Sequence, residues 1–460
     1  MIQTLSRALD AFFSFKAYVM LPIIILVLAL LIRMKVWDAL LSTLKVAVGF
    51  AGIFIVFNFF VANIGPAVER FVAERGLDFP VLDVGWPPLA AITWASKIAP
   101  LSIPLVVLIN LIMLATNTTK TINIDVWNYW HFALVGALLH QTTGSFALGM
   151  AATALIAVFS IKMADWSAPF VEQVGGLKGI SITTLSVNGL APLGIVGDRV
   201  IDRIPGLRRI NWNPSEQKRG IAILSEPMII GVAIGVFLGV LAGYPLRRIL
   251  ELCVHIAAVM FLLPHCGTLI GQGMQPFSLK LKSSIQRVFP GKTDLNVGMD
   301  SGVLMGNPSV IVTGLVLMPI SLILAFIIPG NRSIPLGDLA NLISVMSLIV
   351  LSMRGNVFRA LLVGIPVVIG YLLIATVLAP LFTTLSAQAG AVTEEGYTGL
   401  ITAFTDGGNP IRFWFYHMFR GNWIALAIIA PAAALCFLTW RRYRRLVDLS
   451  QSPAAELTDD

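Results

Sequence analysis

Two carboxylates stand in this chain where a hydrophobic sequence has little reason to carry them. Asp83 opens Asp83-Val84-Gly85-Trp86-Pro87-Pro88 and Asp300 opens Asp300-Ser301-Gly302, and a proline follows each within a few residues, Pro87 and Pro308. An ionised carboxylate accepts several hydrogen bonds at once, which suits two neighbouring hydroxyls of a polyol or sugar. Proline leaves backbone carbonyls without helical partners, adding further acceptors. The indole of Trp86 offers a flat apolar face to the C–H side of such a solute. An aspartate in this position also caps a half-helix, so binding and capping both stay open for Asp83 and Asp300.

Neutral groups complete the candidate set. His140-Gln141-Thr142-Thr143-Gly144-Ser145 is a polar, uncharged turn between apolar runs, and histidine donates and accepts together. Thr93 and Asn307 add a hydroxyl and an amide near the two carboxylates. The substrate-binding candidates are therefore Asp83, Trp86, Thr93, His140, Gln141, Asp300 and Asn307. His131, in mid-run, reads rather as a packed histidine. Trp127, Tyr129 and Trp130 read as an interfacial belt, and Asp406-Gly407-Gly408-Asn409-Pro410 as an external turn. No catalytic residue is assigned. Cys266-Gly267 imitates a phosphate-nest cysteine and Gly271-x-Gly273 a nucleotide loop, but neither follows a strand. Cys253, Cys266 and Cys436 share no CxxC spacing, so no metal site, disulfide framework or cofactor is expected.

The elements that must position these groups follow from composition. Of 460 residues, 57% are hydrophobic and 12% charged, against about 25% charged in a soluble domain; mean hydropathy is +0.85. A polytopic membrane protein fits, and a water-soluble core does not. Apolar runs lie at 17–33, 44–62, 98–115, 124–141, 146–163, 227–243, 248–264, 309–329, 336–352, 357–380 and 422–440, eleven in all. No cleavage site follows the first, which reads as a retained helix. The net charge of +8 sits in the connections between runs, as orientation in a bilayer requires, and calls for no nucleic acid. Most lysines and arginines fall inside if the N-terminus is outside and the C-terminus cytoplasmic; Arg441-Arg442-Tyr443-Arg444-Arg445 is the strongest anchor.

The two carboxylate segments are too short and too broken to span. Irregular backbone at membrane depth is tolerated only where protein buries it or a watery cavity receives it, so both read as re-entrant hairpins. Slid by a little over two hundred residues, the halves align: Asp83-Val84-Gly85 with Asp300-Ser301-Gly302, Asp125-x-x-Asn128 with Asp338-x-x-Asn341, Gly144-Ser145-Phe146 with Gly355-Asn356-Val357. Five runs per half, an odd number, turn the second half upside down, the plan of many secondary transporters. The expected fold is an all-α polytopic membrane protein of about eleven transmembrane helices. It comprises two inverted five-helix repeats with re-entrant hairpins, plus a C-terminal helix. Residues 1–165 form the first repeat (hairpin near 81–96), 166–226 a cytoplasmic connecting region, and 227–380 the second repeat (hairpin near 297–308). An external loop and last helix over 381–445 and a disordered tail over 446–460 follow. Asp202-Arg203-Ile204-Pro205-Gly206-Leu207-Arg208-Arg209 reads as cytoplasmic topology charge.

The chain also resembles a known family. Asp83-Val84-Gly85-Trp86-Pro87, Thr93-Trp94-Ala95-Ser96, Asn123-Ile124-Asp125-Val126-Trp127-Asn128-x-Trp130-His131 and Gly136-Ala137-Leu138-Leu139-His140 are similar to motifs of the galactitol-type IIC permeases of the bacterial phosphotransferase system. So are Ile328-Pro329-Gly330-Asn331, Leu336-Gly337-Asp338-Leu339-Ala340 and Arg354-Gly355-Asn356-x-Phe358-Arg359. The resemblance runs from about residue 20 to Arg442. It implies a homodimeric permease of the galactitol–ascorbate superfamily in the bacterial inner membrane, with a core moving elevator-fashion against a scaffold. Such a permease binds a polyol or sugar and presents it to a cytoplasmic IIB protein, itself charged by IIA, for phosphorylation. Pro88, Leu89 and Asn307 depart from the family pattern, which leaves room for another pentitol, hexitol or sugar. An ion-coupled transporter of a small hydroxylated solute and a non-transporting receptor are the alternative readings.

Overall fold

The computed structural model describes residues 17–75, 79–214, 226–289, 295–390 and 399–450. The N-terminal segment before Ala17 and the tail beyond Ser450 lie outside these. Helices α1 (Ala17–Leu31) and α2 (Val36–Arg75) open the chain. Strand β1 (Val81–Asp83) leads into α3 (Trp86–Trp94), which meets α4 (Ala99–Ala115) at a bend of 88°. After β2 (Thr121–Asn123) and one 3-10 turn come α5 (Trp130–Thr143) and α6 (Phe146–Gln173), then β3 (Ile180–Ile182), α7 (Leu185–Asn188) and α8 (Ala191–Asp202). The second half opens with α9 (Pro227–Leu241), α10 (Leu246–Val288), β4 (Asn296–Met299), a 3-10 turn over Ser301–Leu304, and α11 (Pro308–Ile327). It continues with β5 (Ser333–Ile334), short helices α12 (Leu342–Val345) and α13 (Ser347–Ser352), α14 (Val357–Gln388), β6 (Leu400–Thr402), α15 (Phe404–Gly407) and α16 (Pro410–Phe419). Helices α17 (Trp423–Ala427) and α18 (Ile429–Ser450) close the chain.

Among the described residues six helices are long and apolar enough to cross a bilayer, or seven if the bent α3–α4 pair counts as one span. This is a polytopic membrane protein, with fewer long helices than apolar runs. The runs at 124–141 and 336–352 were expected to span. Each instead follows a strand and opens on a 3-10 turn, and the helix that comes next is short: α5 has 14 residues, about 21 Å at 1.5 Å per residue. The polar starts Asn123-Ile124-Asp125 and Gly337-Asp338 explain this, because their backbone leaves the helical path to make other hydrogen bonds.

Two of the longest helices bear on one another. α2 has 40 residues and α10 has 43, so both exceed the roughly 30 Å of hydrocarbon they cross. Small residues let their backbones meet: a Cβ on Gly273 would lie 2.8 Å from the Ser42 carbonyl, and one on Gly52 2.8 Å from Cys266 Sγ. On the other flank of α10, Gly231, Gly235 and Gly239 of α9 face Ala257, Cys253 and Ile249 in antiparallel order. Cys253 and Cys266 are thus packing residues.

Strands qualify the all-α expectation. Two three-stranded parallel sheets are present, ordered β5-β1-β6 and β2-β4-β3. The first half's β1 lies between two strands of the second half, and the second half's β4 lies between two strands of the first. Each hairpin therefore finds backbone partners in the opposite half, which satisfies N–H and C=O groups far from water. Residues 166–202, read as a connecting region, belong to the packed body for the same reason: β3 pairs with β4 from Ile180–Val297 to Ile182–Met299.

Candidate functional site

β1 ends at Asp83, where the chain must turn into α3. Gly85 makes that turn at φ +82°, and a Cβ there would sit 2.8 Å from the Gly337 carbonyl oxygen, so only glycine fits. Asp83 is fully buried. Its Oδ1 accepts from the N–H groups of Gly85 (3.1 Å) and Phe404 (2.9 Å), and its Oδ2 from those of Leu336 (2.9 Å) and Asp338 (3.0 Å). One side chain thus joins three segments distant in sequence. Asp338 continues the chain of contacts: Oδ1 accepts from Trp86 N–H at 3.1 Å, and Oδ2 from the N–H (2.9 Å) and the hydroxyl of Thr405. The Asn341 amide donates to Thr405 Oγ1 at 2.8 Å and to Asp406 Oδ2 at 3.2 Å.

The other hairpin is held differently. Asp300 Oδ1 accepts from Gly302 N–H at 2.7 Å, while Oδ2 accepts from the Asn128 amide at 2.7 Å and the Thr184 hydroxyl at 3.1 Å. The same Asn128 nitrogen donates to Asp125 Oδ2 at 2.8 Å. Two carboxylates therefore share one amide, and only one of the donors to Asp300 is a backbone group.

Between the hairpins lies a cavity of about 620 Å³, within the range of small-molecule sites. Asp125, Asp300, Asp338 and Asp406 give it acceptors, and Trp86, Trp127 and Trp130 give it aromatic wall. Trp86 and Trp130 are nearly parallel, 11° apart with centroids 6.5 Å apart. Trp130 in turn stacks on His131 at 4.0 Å and carries the Arg412 guanidinium 5.2 Å from its ring centre. Arg412 is buried; Nη1 donates to the Asp406 carbonyl (2.5 Å) and Oδ1 (2.8 Å), and Nη2 to His131 Nδ1. Arginine has no acceptor, so Nδ1 of His131 carries no proton and its Nε2 is the N–H of a neutral ring. α10 closes one side, where a Cβ on Gly267 would touch the Trp86 ring at 3.1 Å.

Of the residues singled out from sequence, Trp86 and Asp300 line this cavity. Asp83 lies behind the wall with both oxygens taken up by backbone. Thr93 donates to the Leu89 carbonyl in its own helix at 2.8 Å. His140 lies in the last turn of α5 with its ring edge-on to Phe146, and Gln141 donates to the Leu381 carbonyl at 3.3 Å. Asn307 caps α11, accepting from Ser309 and Val310 N–H at 3.1 and 3.3 Å. None of these five borders the cavity. Asp125, Asn128, Asp338 and Asn341 do, and their signal was in the sequence: the same Asp-x-x-Asn opens an apolar run in each half. His131 and Asp406 also line it; Arg412, which clamps both, carried no such signal.

The chain matches the family model EIIC-GAT, described as "PTS system sugar-specific permease component", over residues 11–396. It is 36% identical over 440 residues to the "PTS system galactitol-specific EIIC component" of Escherichia coli strain K12, covering 95% of this chain and 97% of the relative. The protein of the same name from Escherichia coli O157:H7 matches equally. A "Putative permease IIC component" of strain K12 is 35% identical over 381 residues, covering 83% of this chain and 87% of the relative.

Proposed function

The chain belongs to the EIIC-GAT family of sugar-specific permease components of the phosphotransferase system, and on that premise we propose that the cavity between its two hairpins binds galactitol or a closely similar polyol. As a member of that family it is a membrane transport subunit for a sugar or polyol, acting with phosphotransferase partners. The observation that carries the reading is the pairing of chemistries around the cavity: carboxylates and nearly parallel indoles line the same space. Hydroxyls donate to the carboxylates, while the C–H face of an extended polyol packs on Trp86 and Trp130. Asp300, Asp125 and Trp86 are the contacts we assign to substrate, with the neutral Nε2–H of His131 as a donor. Asp83 we assign to holding the hairpin.

The finer architecture belongs to the same proposal. We read residues 17–202 and 226–419 as two inverted repeats, each supplying the central strand of the other's sheet; the reciprocal orders β5-β1-β6 and β2-β4-β3 support this. The packed set α1, α2, α9 and α10 is then the scaffold, and the two-sheet body the core that moves against it as an elevator in a homodimer of the inner membrane. The N-terminus is outside and the C-terminus cytoplasmic, with the phosphoryl group coming from a separate IIB chain.

Reconstituted vesicles test the function. With radiolabelled galactitol outside and phosphorylated IIB inside, label should accumulate only as the phosphate, and only when IIB is present. Accumulation of unmodified galactitol driven by a proton gradient without IIB would replace this reading with an ion-coupled transporter.

A further inference from the structure

Gln272 and Gln275 lie on α10, inside the apolar stretch Leu246–Ile285 that is long enough to cross the membrane. Both border the cavity, and neither side chain has a hydrogen-bond partner among the described residues. Both residues are exposed, so their amides are open to a polar solute that enters the cavity. Around them the helix is pared back. Pro264, Gly267, Gly271 and Gln275 recur at the three- and four-residue spacing of one helix face, with Gln272 beside Gly271, and a Cβ on Gly271 would meet nothing within 4 Å. The amides therefore border the same cavity as Asp125, Asp300 and Asp338.

The donor and acceptor balance of the cavity says what they face. The core wall is rich in acceptors, and its amide donors Asn128 and Asn341 are already spent on Asp125, Asp300, Thr405 and Asp406. A polyol hydroxyl that donates to a carboxylate still has lone pairs to satisfy. Glutamine amides supply N–H groups for those oxygens and a carbonyl for any hydroxyl turned the other way.

We propose that Gln272 and Gln275 are substrate-recognition residues, hydrogen-bonding to hydroxyl oxygens of the bound polyol from the α10 side of the cavity. This rests on the cavity being the polyol site and adds that recognition is divided between two packing units. A substrate contact made by α10 exists only while the hairpin body holds its present register against that helix, so translocation by movement of the body must break it.

The test is a cycle between residue and hydroxyl. Galactitol and its monodeoxy analogues are titrated by calorimetry against the full-length protein in lipid nanodiscs, as wild type, Gln272→Leu, Gln275→Leu and Asp300→Asn. Each leucine variant should bind galactitol about tenfold more weakly. At least one deoxy analogue should bind wild type and the matching leucine variant equally, a coincidence that a merely structural role would not produce. If a leucine variant lowers the melting temperature, Gln272→Asn or Gln275→Asn, which keeps but withdraws the amide, replaces it under the same criterion. Leucine variants that bind like wild type, beside a weakened Asp300→Asn, would overturn the glutamine assignment and leave the site reading standing. A wild type that binds no galactitol would overturn both.

Discussion

Asp83 and Asp300 correspond in the proposed repeat, and replacing each by asparagine should damage different properties. Asparagine keeps one carbonyl oxygen and turns the other into a donor. Each Asp83 oxygen accepts two backbone N–H groups, so whichever way the amide is set, two buried N–H groups lose their acceptor. At about 1–3 kcal/mol for each stranded group, Asp83→Asn should cost roughly 2–6 kcal/mol, a large part of the 5–15 kcal/mol that holds a typical protein folded. Asp300→Asn strands less. Its carbonyl can keep Gly302 N–H, Asn128 retains Asp125, and the Thr184 hydroxyl can rotate to accept. What it removes is a carboxylate acceptor in the cavity. A hydrogen bond to a charged group contributes about 1.5–3 kcal/mol, which corresponds to a roughly ten- to hundredfold loss of affinity.

The assay reads thermal unfolding in detergent and galactitol affinity per folded molecule on the same preparations. Asp83→Asn should melt well below wild type, with near-normal affinity in the fraction that remains folded. Asp300→Asn should melt close to wild type and bind weakly. The reverse pattern, an Asp83→Asn protein that melts normally but cannot bind, would refute the division of roles and make Asp83 a substrate ligand.

Three other substitutions probe the frame around the site. Gly271→Phe projects a ring into open cavity, so it should abolish galactitol binding with little change in melting temperature, checked by the same pair of measurements. Gly235→Leu places a side chain whose Cβ starts 2.5 Å from the Cys253 Cα; backbone cannot step aside as a side chain can, and folded yield from membranes should collapse. Arg412→Leu leaves Asp406 as a buried carboxylate without its cation and should lower stability by about 3–5 kcal/mol, read as an early thermal transition; a normal melt would show that Asp406 needs no counter-ion.

Hydropathy locates apolar stretches but does not say how the backbone crosses them. The run at 248–264 seemed to stop at Pro264, yet α10 continues through Pro264 and Pro276 to Val288, because a proline costs a helix only one N–H and a local bend. The runs at 124–141 and 336–352 carry as much apolar signal as true spans, and what separates them is the aspartate near the start of each. The shared Asp-x-x-Asn was legible as a motif common to both halves but not as a site, since most partners of its side chains lie in distant segments. The sheets left no pattern at all: strands of two to four residues are too short for a period of two to show. Arg412 was not singled out, because only one of its partners, Asp406, is near it in sequence; His131, which receives its N–H, is 281 residues away.

The proposed repeat copies geometry more faithfully than chemistry, and the difference bears on which half can recognise a solute. Around Asp83, three segments converge so closely that backbone amides fill every position on the carboxylate. A hydroxyl could enter there only by displacing main chain from a sheet and a turn. Around Asp300, one backbone N–H from its own turn is joined by the Asn128 amide and the Thr184 hydroxyl. Side-chain donors can swing away and find other acceptors, as Asn128 already does in Asp125, so a substrate hydroxyl can take their place with no backbone rearrangement. On the proposed repeat the two segments carry corresponding carboxylates, and the exchangeable partners of Asp300 are the reason we assign polyol recognition to that one.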